Sequence, residues 1–134
     1  MNGIKLRGLG RCVPAQSVTN DDLAKTVDTS DAWITARTGI RSRRCCTEET
    51  HTELCVTAAR RALAQAGITP ADIGACIVAT VSADTIVPSA ACMLQRELGM
   101  PEDTPCFDLN AACTGFIYAL HTMECLLNAS PRKF

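Results

Sequence analysis

Helical spacing of apolar residues predicts the longest elements of this chain. Residues 51–66, "HTELCVTAARRALAQA", place their apolar positions on one face of a helix, and Gly67 fits its C-cap. A second helix is predicted over 88–98, opening on a proline and ending at Gly99, and a third from about residue 113 to 127. We expect the buried face of the first helix to comprise Leu54, Ala58, Ala62 and Leu63.

Two shorter helices are predicted from capping signals. "TNDDLAKTV" begins with Thr19 or Asn20 as N-cap and has two aspartates in the positive first turn. "TSDAWITARTG" offers Thr29 or Ser30 as N-cap and Gly39 as its end.

Three strands complete the predicted order. "GIKLRGLGRCVP" alternates apolar positions up to Pro14, the continuous apolar run 75–81 suits a strand buried on both faces, and "PCFDLN" is a short third strand. The order strand, helices, strand, helix, strand, helix predicts an α/β fold with a largely parallel sheet and helices on its faces.

Length and composition fit one soluble domain. The chain has 134 residues, of which 47% are hydrophobic and 20% charged. A net charge of −1 gives no indication of nucleic-acid binding. The longest apolar run falls short of the ~18 residues that a membrane span needs.

The positive charge is unevenly distributed. Ten of the thirteen cations are arginine, and four arginines fall within eight residues, in a segment predicted to be a loop. Arginine favours bidentate contact with phosphate or carboxylate. The loop is either a solvated surface or a patch for a phosphorylated ligand or acidic partner, formed by Arg37, Arg41, Arg43 and Arg44.

Nine cysteines lie mostly among apolar residues, and no pair has CxxC spacing. Free cysteine often behaves as a small buried hydrophobe, so a reducing cytoplasm is favoured over a disulfide framework. Cys45, Cys46 and Cys55 with His51 do not match structural zinc spacing, and no metal site is predicted.

One cysteine stands at a predicted corner between a strand and a helix. In "FDLNAACTGFIYAL", Cys113 would lie at a helix N-terminus, where unpaired amides and the helix dipole favour a thiolate nucleophile. Its small neighbours Ala111, Ala112 and Gly115 allow a sharp turn, and nearby amides could donate to a developing oxyanion. The alternative is a small core residue that happens to begin a helix.

Three segments carry a family resemblance. "DLNAACTGFIYAL" resembles the nucleophile segment of β-ketoacyl-acyl-carrier-protein synthase III, a condensing enzyme of the thiolase superfamily. "TSDAWITARTGIRSRR" is similar to that family's coenzyme A segment, and "VATVSADTIVPSAACMLQRELG" to its next strand and helix. The resemblance covers nearly the whole chain in register and implies the N-terminal half of a thiolase-like fold.

The resemblance implies a role for five residues. Cys113 would accept the acyl group of an acyl-CoA as a thioester. Trp33 would stack on the adenine of coenzyme A, Arg37 would reach the nucleotide, and Thr29 would hydrogen-bond near it. Val87 matches a position that lines the acyl pocket, where the family usually has a larger aromatic residue.

The resemblance also implies a reaction and its partners. After acylation, malonyl-acyl carrier protein binds and loses carbon dioxide, and the carbanion attacks the thioester to give a 3-oxoacyl-carrier protein that initiates fatty acid biosynthesis. The expected protein is a cytoplasmic homodimer that uses acyl-CoA as substrate and holds no tightly bound cofactor.

The same resemblance predicts that residues 1–134 are one truncated thiolase-like N-terminal domain, without the C-terminal half that carries the family's catalytic histidine and asparagine. His121 is eight residues beyond Cys113 on one helix, about 12 Å of rise, so it is expected to be packed or interfacial. For His51 a cap or surface role is expected. The last helix is apolar all round and needs cover. Because the family's catalytic histidine and asparagine are missing, the isolated chain is predicted to be inactive in condensation.

Other functions stay open at this point. One is another ketosynthase of the same superfamily, such as a secondary-metabolite enzyme. "TSDAWITARTGIRSRR" argues against 3-hydroxy-3-methylglutaryl-CoA synthase. The other is a non-catalytic fragment that binds coenzyme A or a protein partner.

Overall fold

The computed structural model describes residues 4–129, which form two compact units. We call Val13–Thr50 the inserted unit, and the described residues before and after it the main unit. Residues 1–3, which include the first residue of the predicted first strand, and residues 130–134 lie outside the described residues.

The inserted unit pairs two short strands around two helices. In chain order it contains β1 (Gln16–Thr19), α1 (Asn20–Ala24), α2 (Asp31–Thr38) and β2 (Ser42–Cys45). The strands are antiparallel, with Gln16 opposite Cys45 and Thr19 opposite Ser42.

Local capping explains where both helices begin. Thr19 caps α1 in a capping box with Asp22, and the Ser30 hydroxyl accepts the Trp33 N–H at the start of α2. Gly39, at φ 71°, ends α2 in the left-handed region that favours glycine. Of the two candidate caps predicted for each helix, Thr19 and Ser30 are confirmed.

The main unit contains a parallel strand pair with three helices. Its elements are α3 (His51–Ala66), β3 (Cys76–Ala79), α4 (Ala90–Leu98), β4 (Cys106–Leu109) and α5 (Gly115–Ala129). β3 and β4 pair in register from Cys76 opposite Cys106 to Ala79 opposite Leu109, and α4 and α5 pack against both strands. The α/β class and the parallel pairing are confirmed.

The core of the main unit is small. α4 supplies two of its members, and Ala91 is fully buried. Along α3 the predicted face (Leu54, Ala58, Ala62, Leu63) is half-buried. The buried residues of the cluster are Val56, Cys76, Ala91, Leu94 and Met100.

The prediction of a first strand ending at Pro14 is wrong, because residues 4–14 form no strand. Gly8 and Gly10 instead lie directly on α3. A Cβ on Gly10 would come 1.9 Å from the Ala58 carbonyl oxygen, and one on Gly8 would come 2.3 Å from that of Ala62. The Arg61 guanidinium donates to the Arg11 carbonyl at 2.6 Å and fastens the segment to the helix.

Two further boundaries differ from the prediction. The arginine-rich segment is not a loop throughout, since Ser42–Cys45 is strand β2. Helix α4 begins at Ala90 rather than at Pro88, because the Ser89 hydroxyl accepts the Cys92 N–H and acts as its N-cap.

Candidate functional site

Cys113 lies in a tight turn between β4 and α5. Ala112–Thr114 form a single 3₁₀ turn, in which the Thr114 N–H and hydroxyl donate to the Ala111 carbonyl at 3.1 and 2.8 Å. Ala112 has φ 45°, a left-handed conformation that residues with a Cβ rarely adopt. Such strain is stored most often at functional sites. The turn leaves Cys113 exposed.

Gly115 sets this turn against the ends of both parallel strands. It is the buried first residue of α5, and a Cβ on it would lie 3.6 Å from the Ala79 Cβ and 3.9 Å from the Leu109 carbonyl oxygen. Ala79 and Leu109 are the last residues of β3 and β4. Cys113 therefore lies at the carboxyl edge of the parallel pair, where ligands of α/β proteins commonly bind.

A cavity of about 780 Å³ adjoins the cysteine. It extends along the end of β3 and under the first turn of α5, and most of its surface is apolar. Its volume is within the range of small-molecule sites. The side chains that line it include Val81, Leu109, Ala112, Cys113 and Phe116.

His51 lines the same cavity and is half-buried, which corrects its expected role at the surface. Its Nε2 is 3.3 Å from the Thr80 hydroxyl, and its ring nitrogens are 3.7 and 3.8 Å from the Cys55 sulfur. Burial, reinforced by the charge of Asp84, raises the pKa of the Cys55 thiol. Cys55 is therefore a neutral neighbour of His51.

Within residues 4–129 neither histidine, His51 or His121, is hydrogen-bonded to the Cys113 thiol. His121 is exposed on α5, with its ring 3.9 Å from the Glu124 carboxylate. The described part of the chain thus presents a thiol at a cavity without a general base hydrogen-bonded to it.

The residues implied in nucleotide binding lie on the inserted unit. The Arg37 guanidinium stands 4.3 Å above the centre of the Trp33 ring, one helical turn away on α2. Trp33 is 53% exposed, so the indole is not a core anchor. Thr29 directly precedes the cap of α2 and is half-buried.

Two of the four arginines in the predicted patch are hydrogen-bonded to segments of the inserted unit that are distant from them in sequence. Arg43 donates to the Asn20 side chain at 2.6 Å and to the Val18 carbonyl at 3.1 Å, and Arg44 donates to the Ala15 carbonyl at 2.6 Å. These two arginines stabilise the inserted unit. Arg37, Arg41 and Arg44 are exposed, and only Arg43 is half-buried.

Val87 lies in the loop before α4 and is 85% exposed. It is not among the residues that line the cavity. Its role in an acyl pocket stays a prediction.

Two carboxylates hold helix N-termini near the cavity and were not predicted. Asp84 accepts the N–H groups of His51 and Thr52, and Asp108 on β4 accepts those of Ala90 and Ala91. Their partners are distant in sequence, which hid them from local patterns. An acidic residue inside the apolar strand "PCFDLN" was the available signal.

In residues 4–129 no three metal-ligating side chains converge. None of the helices in that range has the length and apolar character that crossing a membrane requires. All nine cysteines are free thiols.

Comparison with known proteins identifies the relatives of this chain. The β-ketoacyl-[acyl-carrier-protein] synthase III of Clostridium acetobutylicum is 49% identical over 133 residues, covering 99% of this chain and 41% of the relative. The enzyme of the same name from Natranaerobius thermophilus is 47% identical, covering 100% of this chain and 41% of the relative. No protein-family model matches the chain.

Comparison with solved structures gives relatives of the same kind. The 3-oxoacyl-[acyl-carrier-protein] synthase III of Aquifex aeolicus superposes with a TM-score of 0.91 at 42% identity, over 95% of this chain and 41% of that one. A priming β-ketosynthase of the R1128 polyketide pathway gives a TM-score of 0.87 at 36% identity, over 92% of this chain and 37% of that one. The chain spans about 41% of the length of the curated relatives it matches, and its sequence and fold match that part of β-ketoacyl-[acyl-carrier-protein] synthase III.

Proposed function

We propose that this chain supplies the acyl-acceptor part of a β-ketoacyl-acyl-carrier-protein synthase III that initiates fatty acid biosynthesis. The observation that carries the proposal is the position of Cys113: an exposed thiol on a strained turn, at the carboxyl edge of the parallel strands and beside a largely apolar cavity. A thiol nucleophile and an apolar chamber are what transfer of an acyl chain requires.

In the proposed first step Cys113 has lost its proton to solvent, and its thiolate sulfur attacks the carbonyl carbon of an acyl-CoA. A carbon–sulfur bond forms, the bond to coenzyme A breaks, and coenzyme A leaves as its thiolate. In the second step malonyl-acyl carrier protein loses carbon dioxide, and its carbanion attacks the Cys113 thioester. The product is a 3-oxoacyl-carrier protein, and the cysteine thiolate is released.

We assign coenzyme A recognition to the exposed face of α2. The stacked Trp33 and Arg37 side chains offer a flat aromatic surface and a cation, which suit an adenine ring and a phosphate. Thr29 would hydrogen-bond beside them.

The proposal includes a homodimer in the cytoplasm, with Val87 directed to the acyl chain. Support for an interface comes from α5, where Phe116, Ile117 and Tyr118 are 69%, 62% and 56% exposed. Exposed apolar patches of this kind mark interaction surfaces.

Formation of 3-oxoacyl-carrier protein from acyl-CoA and malonyl-acyl carrier protein tests the function. It is measured on the protein expressed from its complete coding sequence. We expect Cys113→Ser to abolish the product and Cys125→Ser, at an exposed cysteine on α5, to leave it unchanged. Product formed by the Cys113→Ser variant would refute the proposal. The separate 134-residue chain is expected to give no product, because no histidine in its described part is hydrogen-bonded to Cys113.

A second candidate is the priming step of a polyketide pathway, favoured by the likeness to the R1128 ketosynthase. The two functions differ in the carrier protein that receives the acyl group. Comparing turnover with fatty-acid and polyketide carrier proteins distinguishes them.

A further inference from the structure

Asn20 is the most deeply buried large side chain of the inserted unit. It is 1% exposed, and it is the largest fully buried side chain in residues 4–129. A buried amide is costly unless all of its polar atoms are hydrogen-bonded. The hydrogen-bond partners of Asn20 therefore indicate which elements it holds in place.

Those contacts reach both ends of α2. The Asn20 Nδ2 donates to the Asp31 carboxylate at 2.8 Å, at the first residue of the helix, and to the Ile40 carbonyl at 2.8 Å, just beyond its last residue. The same nitrogen lies 3.4 Å from the Thr35 hydroxyl in the middle of the helix.

The other side of the amide is held as well. The Asn20 Oδ1 accepts from the Arg43 guanidinium on β2 at 2.6 Å, and the Asn20 backbone N–H donates to the Arg41 carbonyl. Asn20 is thus linked to β2 and to α2 at once, which fixes the helix to the strand pair.

The face of α2 that is hydrogen-bonded to Asn20 lies opposite the face assigned to coenzyme A. Asp31 and Thr35 are four residues apart and share one side of the helix. Trp33 and Arg37 are displaced from them by two residues, about 200° around the axis. Burial agrees, because Asp31 and Thr35 are half-buried whereas Trp33 and Arg37 are exposed.

We propose that Asn20 is a positioning residue for coenzyme A binding, which holds α2 so that Trp33 and Arg37 present one fixed surface to the nucleotide. This inference rests on the proposed function. The hydrogen bond from Asn20, with a second from Thr35, also holds the pKa of the Asp31 carboxyl below its usual range. Asp31 therefore accepts these bonds as a carboxylate at neutral pH.

The test is the affinity for coenzyme A, measured by calorimetry on the full chain. Asn20→Asp removes both Nδ2 donors and places a second carboxylate beside Asp31. We expect coenzyme A to bind about tenfold more weakly, because α2 would no longer hold Trp33 and Arg37 in one arrangement; tenfold corresponds to about 1.4 kcal/mol of binding free energy. Adding Asp31→Asn restores an amide–carboxylate pair with reversed polarity, and we expect it to recover part of the affinity.

A matched control separates positioning from general destabilisation. Glu49→Gln removes a carboxylate that accepts the Ala15 and Thr47 N–H groups in the same unit, away from α2. We expect this variant to melt earlier but to keep its affinity. In the protein expressed from its complete coding sequence, Asn20→Asp is expected to raise KM for acyl-CoA with little change in kcat.

The outcomes are distinct. If the unsubstituted chain binds coenzyme A and Asn20→Asp binds it within twofold, the positioning role is refuted while the proposed function stands. If the unsubstituted chain does not bind coenzyme A, the assignment of α2 and this inference both fail. If Asn20→Asp does not fold, the affinity is measured on Thr35→Val instead, a variant that removes a single hydroxyl from the same cluster. A loss of about threefold then supports the role, and unchanged affinity overturns it.

Discussion

Replacing Asp84 removes a carboxylate that caps α3 from outside the helix. Its two oxygens accept the His51 N–H at 3.0 Å, the Thr52 N–H at 2.9 Å and the Thr52 hydroxyl at 2.7 Å. These bonds also hold His51 at the edge of the cavity. The Asp84→Ala variant therefore tests how the cavity wall is secured.

The expected cost is modest because Asp84 is exposed. Loss of a capping carboxylate costs about 1 kcal/mol, which includes the favourable charge at the helix N-terminus. For a chain of this length that lowers Tm by about 3–5 °C. Asp84→Asn keeps one acceptor oxygen, so we expect about half of this effect.

Measuring stability at low pH distinguishes the charge of the Asp84 carboxylate from a purely steric effect of the substitution. Hydrogen bonds from Thr52, from its side chain first and then its backbone, lower the pKa of Asp84 from 3.8. A lowered folded-state pKa gives stability that is present above the unfolded pKa and lost as pH falls through the folded value. The native chain should be more stable than the Asp84→Ala variant at pH 7, and this difference in stability should shrink below about pH 4.

Thermal melts followed by circular dichroism at both pH values provide the measurement. Glu102→Gln is the control, since Glu102 is an exposed carboxylate of the main unit that caps no helix. An Asp84→Ala variant as stable as the native chain at pH 7, or a difference that persists undiminished in acid, would refute the reasoning.

Two further substitutions and one chemical modification test the packing and the backbone conformation. Gly10→Ala should lower the free energy of unfolding by about 2 kcal/mol or more, because its Cβ would lie 1.9 Å from a carbonyl oxygen of α3; a neutral effect in urea titration would contradict that contact. Gly39→Ala should cost about 1 kcal/mol through its φ of 71° alone, since nothing lies within 4 Å of the added Cβ; a cost above about 3 kcal/mol would indicate a clash instead. Burial, aided by Cys106, raises the pKa of Cys76 to about 12, so iodoacetamide at pH 8 should alkylate exposed Cys113 and spare Cys76; mass mapping that finds the reverse would contradict the burial pattern.

Features encoded within a few residues were predicted well from the sequence. Ser30 and Gly39 bound α2 as their chemistry indicates, and the continuous apolar run at β3 marked a parallel strand. Each of these signals depends on local capping or on burial of one short segment. Neither requires knowledge of a distant partner.

Features that depend on distant contacts were missed. β1 and β2 read "QSVT" and "SRRC", too short and polar to show strand periodicity. The segment before Pro14 alternates like a strand, yet its glycines pack on a helix about fifty residues away. Asp84 and Asp108 cap helices that begin far from them in sequence.

The candidate site divides in the same way. Local reasoning identified the corner at Cys113, which the turn and the cavity now define in geometry. The nucleotide-binding roles of Trp33 and Arg37 came from family resemblance, because a tryptophan on a short helix is by itself more typical of a core anchor. The exposure of the indole removes that alternative.

The central claim is that Cys113 accepts the acyl group, and mass spectrometry after incubation with an acyl-CoA tests it most directly. We predict a mass increase of one acyl group, located on the peptide that contains Cys113, sensitive to hydroxylamine and absent in Cys113→Ala. Acylation of a different cysteine, or none in a folded protein that binds coenzyme A, would contradict the account.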